Sequence, residues 1–238
     1  MTAAHHRRLR RRNAHVHHQK AITPMSTPLP TSLLNQQHFY IPWDRERPAH
    51  KLGVPLARRL QQAHDRPITI ACPDMANAPI RTVATSVVTE RDGTVTDGSI
   101  VLAYCPSHRL ARKFVHLTDS LIIVAEWHTA SYLGWAKITA ALNITTGQTH
   151  HDGLTNAGRR AVDQIVACGD LSWTDTPAHN TVDTCLNHLT ALGELAPDVI
   201  SAHARHHWGA DPVRTLDKLI NNYLGRPRPT PPASLRFT

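Results

Sequence analysis

Several motifs that would announce a chemistry are missing from this sequence. No GxGxxG follows an apolar run and no GxxxxGK[ST] occurs, which excludes the standard dinucleotide fingerprint and the P-loop. HExxH and GxSxG are absent too, so neither a zincin helix nor a nucleophile elbow is present. The four cysteines, Cys72, Cys105, Cys168 and Cys185, contain no CxxC pair, and a zinc ribbon or dithiol redox motif is excluded with it. Buried thiols are the expectation for all four.

Long apolar runs are also lacking. The longest, "IVLAYC" and "LIIVA", fall well short of a bilayer span, and "AITPMSTPLP" is too polar and too rich in proline for a signal-peptide core. The expectation is a cytoplasmic protein with no membrane partner. No cofactor or metal is written into the pattern.

Charge of one sign is abundant, but its distribution matters more than its total. The chain carries 26 Lys and Arg against 18 Asp and Glu, a formal charge of +8. Residues 1–24 hold Arg7, Arg8, Arg10, Arg11, Arg12 and Lys20, and residues 225–238 hold Arg226, Arg228 and Arg236, with no acid in either stretch. What remains for 25–224 is 17 basic against 18 acidic residues, a neutral body between basic ends. The leading stretch reads either as an arm that screens phosphates or as an extension ahead of Met25, where "MSTPLP" resembles an ordinary amino terminus. The 18 histidines are scattered through ends, loops and helices, which points to compositional bias.

The apolar pattern assigns a fold class. "PITIAC", "SIVLAYC" and "LIIVAEW" are continuous apolar runs of strand length. Between them lie segments with helical periodicity, and such alternation builds βαβ units around a parallel sheet. "LGVPLARRLQQAH" places Leu52, Leu56, Leu60 and Ala63 on one face, with Pro55 expected in the first turn. "APIRTVATSVVTERDG" spaces Ile80, Val83, Ala84, Val87 and Val88 as a helix face, its β-branched residues leaving a strand as the alternative. "SHRLARKFVHLTDS" opens on Ser107 as helix N-cap, and "YLGWAKITAALNITTGQ" adds a short helix and one further strand. "HFYIPWDRERP" concentrates Phe39, Tyr40 and Trp43, and is expected to dock on the body.

After His151 the pattern is helical throughout: four short helices, the first with Thr155 as N-cap and the second stopped by Gly193. The expected architecture is α/β, a mainly parallel sheet with flanking helices, followed by a small all-α unit. The segments are a basic and proline-rich arm over 1–51, disordered at its start, the α/β domain over 52–150, the helical unit over 153–224, and a disordered Pro/Arg tail over 225–238.

Three functions fit. The leading one is a nucleic-acid-associated binding protein, its partner DNA or RNA. The basic ends, Arg10, Arg11 and Arg12 among them, would supply phosphate affinity. The last two helices, joined through "WGAD", resemble a helix-turn-helix in outline, with Arg214, Lys218, Asn221 and Asn222 facing outward as phosphate and base-edge contacts.

The second is a hydrolase-type enzyme. Parallel sheets bind ligands beyond the carboxyl ends of their strands, and those ends read "CPD", "CPSH" and "AEWH". Asp74, His108, Glu126 and His128 are the candidate catalytic residues there. Ser107 shares the loop, although an N-cap explains it equally well. Cys72 and Cys105 form at most a neighbouring thiol pair, and His203 with His207 has a metal-capable spacing without the usual glutamate. The third function is a protein-partner module docking through Trp127, Trp135 or the "FYIPW" segment.

Overall fold

The computed structural model describes residues 31–73, 83–127 and 131–226. After a single turn of helix, α1 (Thr31–Leu34), come β1 (His38–Ile41), α2 (His50–His64), β2 (Ile68–Ala71), β3 (Ser86–Val88) and β4 (Ile100–Tyr104). Next are α3 (His108–Ala111), β5 (Leu121–Ala125), α4 (Leu133–Ile138) and β6 (Leu142–Asn143). The chain closes with α5 (Asn156–Ala167), a 3-10 turn (Cys168–Leu171), α6 (Thr176–Leu192), α7 (Pro197–Trp208) and α8 (Ala210–Leu224).

The six strands form one sheet in the order β3-β2-β4-β5-β1-β6, and every neighbouring pair is parallel. An α/β body with a parallel sheet, followed by helices, is therefore what the chain forms. The reason lies in β4 and β5: all ten of their residues are buried, so both faces must be covered. Alternation divides the coverage. Phe39, Ile41, Ile70, Leu102 and Ile123 meet Leu56, Ala57 and Leu60 of α2 on one face. Tyr40, Val101, Ala103, Ile122 and Val124 meet Leu110, Phe114 and Trp135, from α3, the turn after it and α4, on the other.

Two elements differ from their sequence patterns. Val87 and Val88, read as part of a helix face, lie in β3, where Val87 pairs with Ile70 and Val88 with Ala71. β-branched side chains favour the pleated conformation once a strand edge is available, and β2 offers one. The run stops where Thr89 accepts from the Asp92 amide at 3.1 Å and Gly93 adopts a φ of +77°. Pro79 and Ile80, the start of the expected helix, lie outside the described residues. The segment 38–41, expected only to dock, is an inner strand between β5 and β6, so the sheet takes a strand from before residue 52. α2 also begins at His50, which puts Pro55 beyond the first turn; its missing N–H removes the helical partner of the carbonyl of exposed Lys51.

The last four helices share a core of Ala161, Val162, Ile165, Val182, Leu186, Leu189, Val213, Leu216 and Ile220, with Trp173 fully buried among them. Their ends follow their caps. Thr155 accepts from the Gly158 amide, Asp175 accepts from the Ala178 amide at 2.7 Å, and Gly193 ends α6 at a φ of +72°.

This bundle lies against the α3 and α4 face through a close crossing of α4 and α7. A Cβ on Gly134 would sit 2.0 Å from the Asp198 carbonyl oxygen, so the two backbones meet where only glycine fits. Beside that point Lys137 Nζ donates to Asp198 Oδ2 at 2.7 Å. Gly134→Ala is accordingly expected to destabilise the protein by about 3 kcal/mol through overpacking, read as a lowered urea midpoint, whereas Lys137→Ala should cost under about 1 kcal/mol.

Candidate functional site

The outgoing chain of β1 crosses one face of the sheet through α2, and the outgoing chain of β5 crosses the opposite face through α4. Because β1 and β5 are neighbours, their carboxyl ends lie side by side, at the end of the sheet where open α/β folds receive ligands. Ile41 pairs with Ala125 at the end of the ladder. Two residues further on stand Trp43 and Trp127, 45% and 41% exposed.

Glu126 sits just beyond the ladder, its own amide donating to the Ile41 carbonyl. Only 3% exposed, its carboxylate accepts from Tyr40 Oη at 2.7 Å and from the Tyr132 amide at 2.7 Å, and also from the Trp43 amide. Burial pushes its pKa upward, opposed by these hydrogen bonds. A carboxylate so engaged ties β1, the end of β5 and the start of α4 to one point.

His108, at the start of α3, packs its ring on Tyr132 with centroids 5.1 Å apart. Burial and then the Arg205 charge lower its pKa to about 4, against a smaller pull from Asp217, so the imidazole is neutral near neutral pH. Glu126 and His108 thus meet the same residue by different routes, one through the Tyr132 backbone and the other through its ring. Asp74 and His128, the other two candidate catalytic residues, lie outside the described residues. Ser107 is an N-cap: it accepts from the Leu110 amide at 3.1 Å and donates to Glu90.

Cys105 follows β4 at a φ of +49°. Burial pushes its thiol up to about 12, with Cys72 and Glu126 adding to the rise, so it remains protonated and poorly nucleophilic. None of the four cysteines is in a disulfide. Among the described residues no three His, Cys, Asp or Glu side chains are grouped to hold a metal.

Beyond His108 a narrow cleft of about 40 Å³ runs between α3, α4 and α7, lined by Ala111, Arg112, Val115, Tyr132, Trp135, Ala202, Arg205 and His206. Tyr132 Oη and Trp135 Nε1 are buried without a hydrogen-bond partner. The cleft widens into a second hollow of about 170 Å³ lined by Arg112, His116, Arg205, His206, His207, Trp208 and Gly209. No acidic residue is among those lining either hollow. Arg205 is held by Asp217 behind it at 2.5 Å. Burial lowers the His206 pKa first, then the nearby His116 and His207 charges.

The residues chosen for nucleic-acid contact fall in two groups. Arg214, Lys218, Asn221 and Asn222 are all exposed on α8, and Arg214 approaches Asp211 at 3.4 Å. Arg10, Arg11 and Arg12 lie outside the described residues. Gly209 alone joins α7 to α8, at a φ of +83°, where a helix-turn-helix has a turn of three or four residues. His203 is half-buried, with Nε2 lacking a partner, and its pKa is lowered chiefly by burial.

Sequence reasoning missed the basic hollow, because "RLARKFVH" and "HARHHWG" are remote in the chain and nothing in either specifies that they meet. It named Trp127 and the segment containing Trp43 without placing them on adjacent strand ends. Comparison with protein-family models, curated proteins and solved structures finds no match. No helix among the described residues is long and apolar enough to cross a membrane.

Two outcomes follow from the geometry. Glu126→Ala leaves the buried Tyr40 hydroxyl and Tyr132 amide without their acceptor and should lower stability by about 3 kcal/mol in chemical denaturation, with Tyr40→Phe costing about 1 kcal/mol. The neutral His108 contributes stability that is complete above its ordinary pKa of 6.5 and is lost as pH falls toward about 4. His108→Gln should therefore flatten the acid limb of the melting-temperature profile between those pH values.

Proposed function

We propose that the protein is a nucleic-acid-associated binding protein in the cytoplasm, with DNA or RNA phosphates received in the hollow between the turn after α3 and the end of α7. One observation carries this reading: five basic or imidazole side chains, Arg112, His116, Arg205, His206 and His207, line that hollow with no acid among them. The body has no net positive charge to spare, so a local surface lined by bases alone is where a polyanion gains most. Arg112 is exposed and approaches the chain at Gly209, where a Cβ would come within 3.0 Å of its Nε. Arg205 is held in place by Asp217, and a guanidinium oriented beforehand loses less freedom on meeting phosphate.

The exposed Arg214 and Lys218 on α8 are further cations on the described surface, and the arginines of residues 7–12 add charge to the same chain. A hydrolase reading has less support, because the Glu126 carboxylate is committed to Tyr40, Tyr132 and Trp43.

The test is binding of labelled single- and double-stranded DNA and RNA by the full chain across a salt series. Arg112→Ala should weaken binding and reduce the slope of log K against log salt by about 1. Replacing Arg10, Arg11 and Arg12 together should lower affinity while leaving the Arg112 effect in place. Loss of all binding with the arm substitutions, and none with Arg112→Ala, overturns the assignment to the hollow.

A further inference from the structure

We infer that phosphate and protons bind together in the hollow between the turn after α3 and the end of α7, so that its hold on a polyanion strengthens as pH falls. The inference rests on the phosphate-binding reading above and adds what regulates it. Two arginines and three histidines line that hollow, and they differ in whether their charge is fixed. Arg205 is already paired with Asp217 at 2.5 Å, so the charge the hollow can still gain lies in His116, His206 and His207. Imidazole is the side chain that changes charge between about pH 5 and 8. All three are exposed, and a proton reaches each without any unfolding.

The imidazoles oppose one another. His206 is held below its ordinary pKa first by the part of its ring that is buried, then by the His116 and His207 charges. Its own charge bears in turn on His38 of β1 and on His203, one turn earlier on α7, both lowered chiefly by burial. Each proton added to the hollow therefore makes the next more costly, and a phosphate placed among the rings removes that cost. By linkage, an anion that draws protons in is itself held more tightly when protons are abundant. Among the described residues these side chains are not grouped to hold a metal ion, so protonation is the way they gain charge.

The carboxylates of the neighbouring elements are engaged elsewhere. On α8, Asp217 accepts from Arg205 and from Ser201 Oγ at 2.6 Å, while Asp211 approaches Arg214. Toward α5, Asp152 is paired with Arg159 at 2.9 Å, and it and Asp163 bear on His203, which does not line the hollow. At the far end of α7, Asp198 holds Lys137. His108 of α3 also faces Arg205, but its burial keeps it neutral in mild acid.

The experiment titrates the full chain into rhodamine-labelled oligothymidylate, whose bases do not ionise in mild acid, at constant ionic strength. Affinity should rise roughly tenfold or more between about pH 7.5 and about pH 5.5. His5, His6, His15, His17 and His18 of the leading stretch titrate as well, so the decisive quantity is a difference between chains. A variant carrying His116→Gln, His206→Gln and His207→Gln should lose most of the parent's acid rise. One carrying His206→Arg and His207→Arg fixes two charges, and at about pH 7.5 it should bind as tightly as the parent does in acid. Both exchange exposed side chains and should melt like the parent; the arginine variant decides if the glutamine variant does not fold. An acid rise of parental size in the glutamine variant overturns the inference, as does an arginine variant with no gain at neutral pH or a parent affinity that ignores pH. If the parent binds at no pH, the phosphate reading fails and this one with it. If it binds and Arg112→Ala weakens it while the glutamine variant keeps the parent's pH profile, only this one fails.

Discussion

One buried carboxylate organises the functional end of this molecule. Glu126 leaves β5 where the chain must turn toward α4, and a charge at that depth is tolerated only with its oxygens satisfied. Its donors come from three separate places: the Tyr40 hydroxyl on β1, the Trp43 amide beyond it and the Tyr132 amide ahead of α4. That arrangement sets how β1 inserts beside β5 and how Tyr132 meets His108. An apolar residue would fill the volume but would not hold three chain segments at one point.

Much of the fold is legible in the chain because its signals are local. β2, β4 and β5 are bounded apolar runs, and the last four helices carry periodic cores with caps such as Thr155 and Gly193. β3 was harder because Val83, Ala84, Val87 and Val88 satisfy helical spacing; what decides against a helix is the free edge of β2, a tertiary fact. β1 was hidden differently. "HFYI" is short and begins with histidine, and it reads as a strand only once β5 and β6 are on either side.

The site was legible in position more than in role. Strand-end reasoning led to Glu126 and His108, but composition alone gives no sign that one is saturated with hydrogen bonds and the other held neutral beside Arg205. The outward face of α8 was readable from periodicity, since Val213, Leu216 and Ile220 define the opposite side. The basic hollow was not readable, for its two halves lie about ninety residues apart in the sequence and meet because α4 carries the bundle onto the α3 face.

The contact at Gly134 has a mechanical consequence. A hinge between two units needs a layer of side chains that can slide or re-pack, and at Gly134 backbone lies against backbone with no such layer. That contact pins the start of α7 to α4, whereas the hollow lies at the opposite end of the same helix.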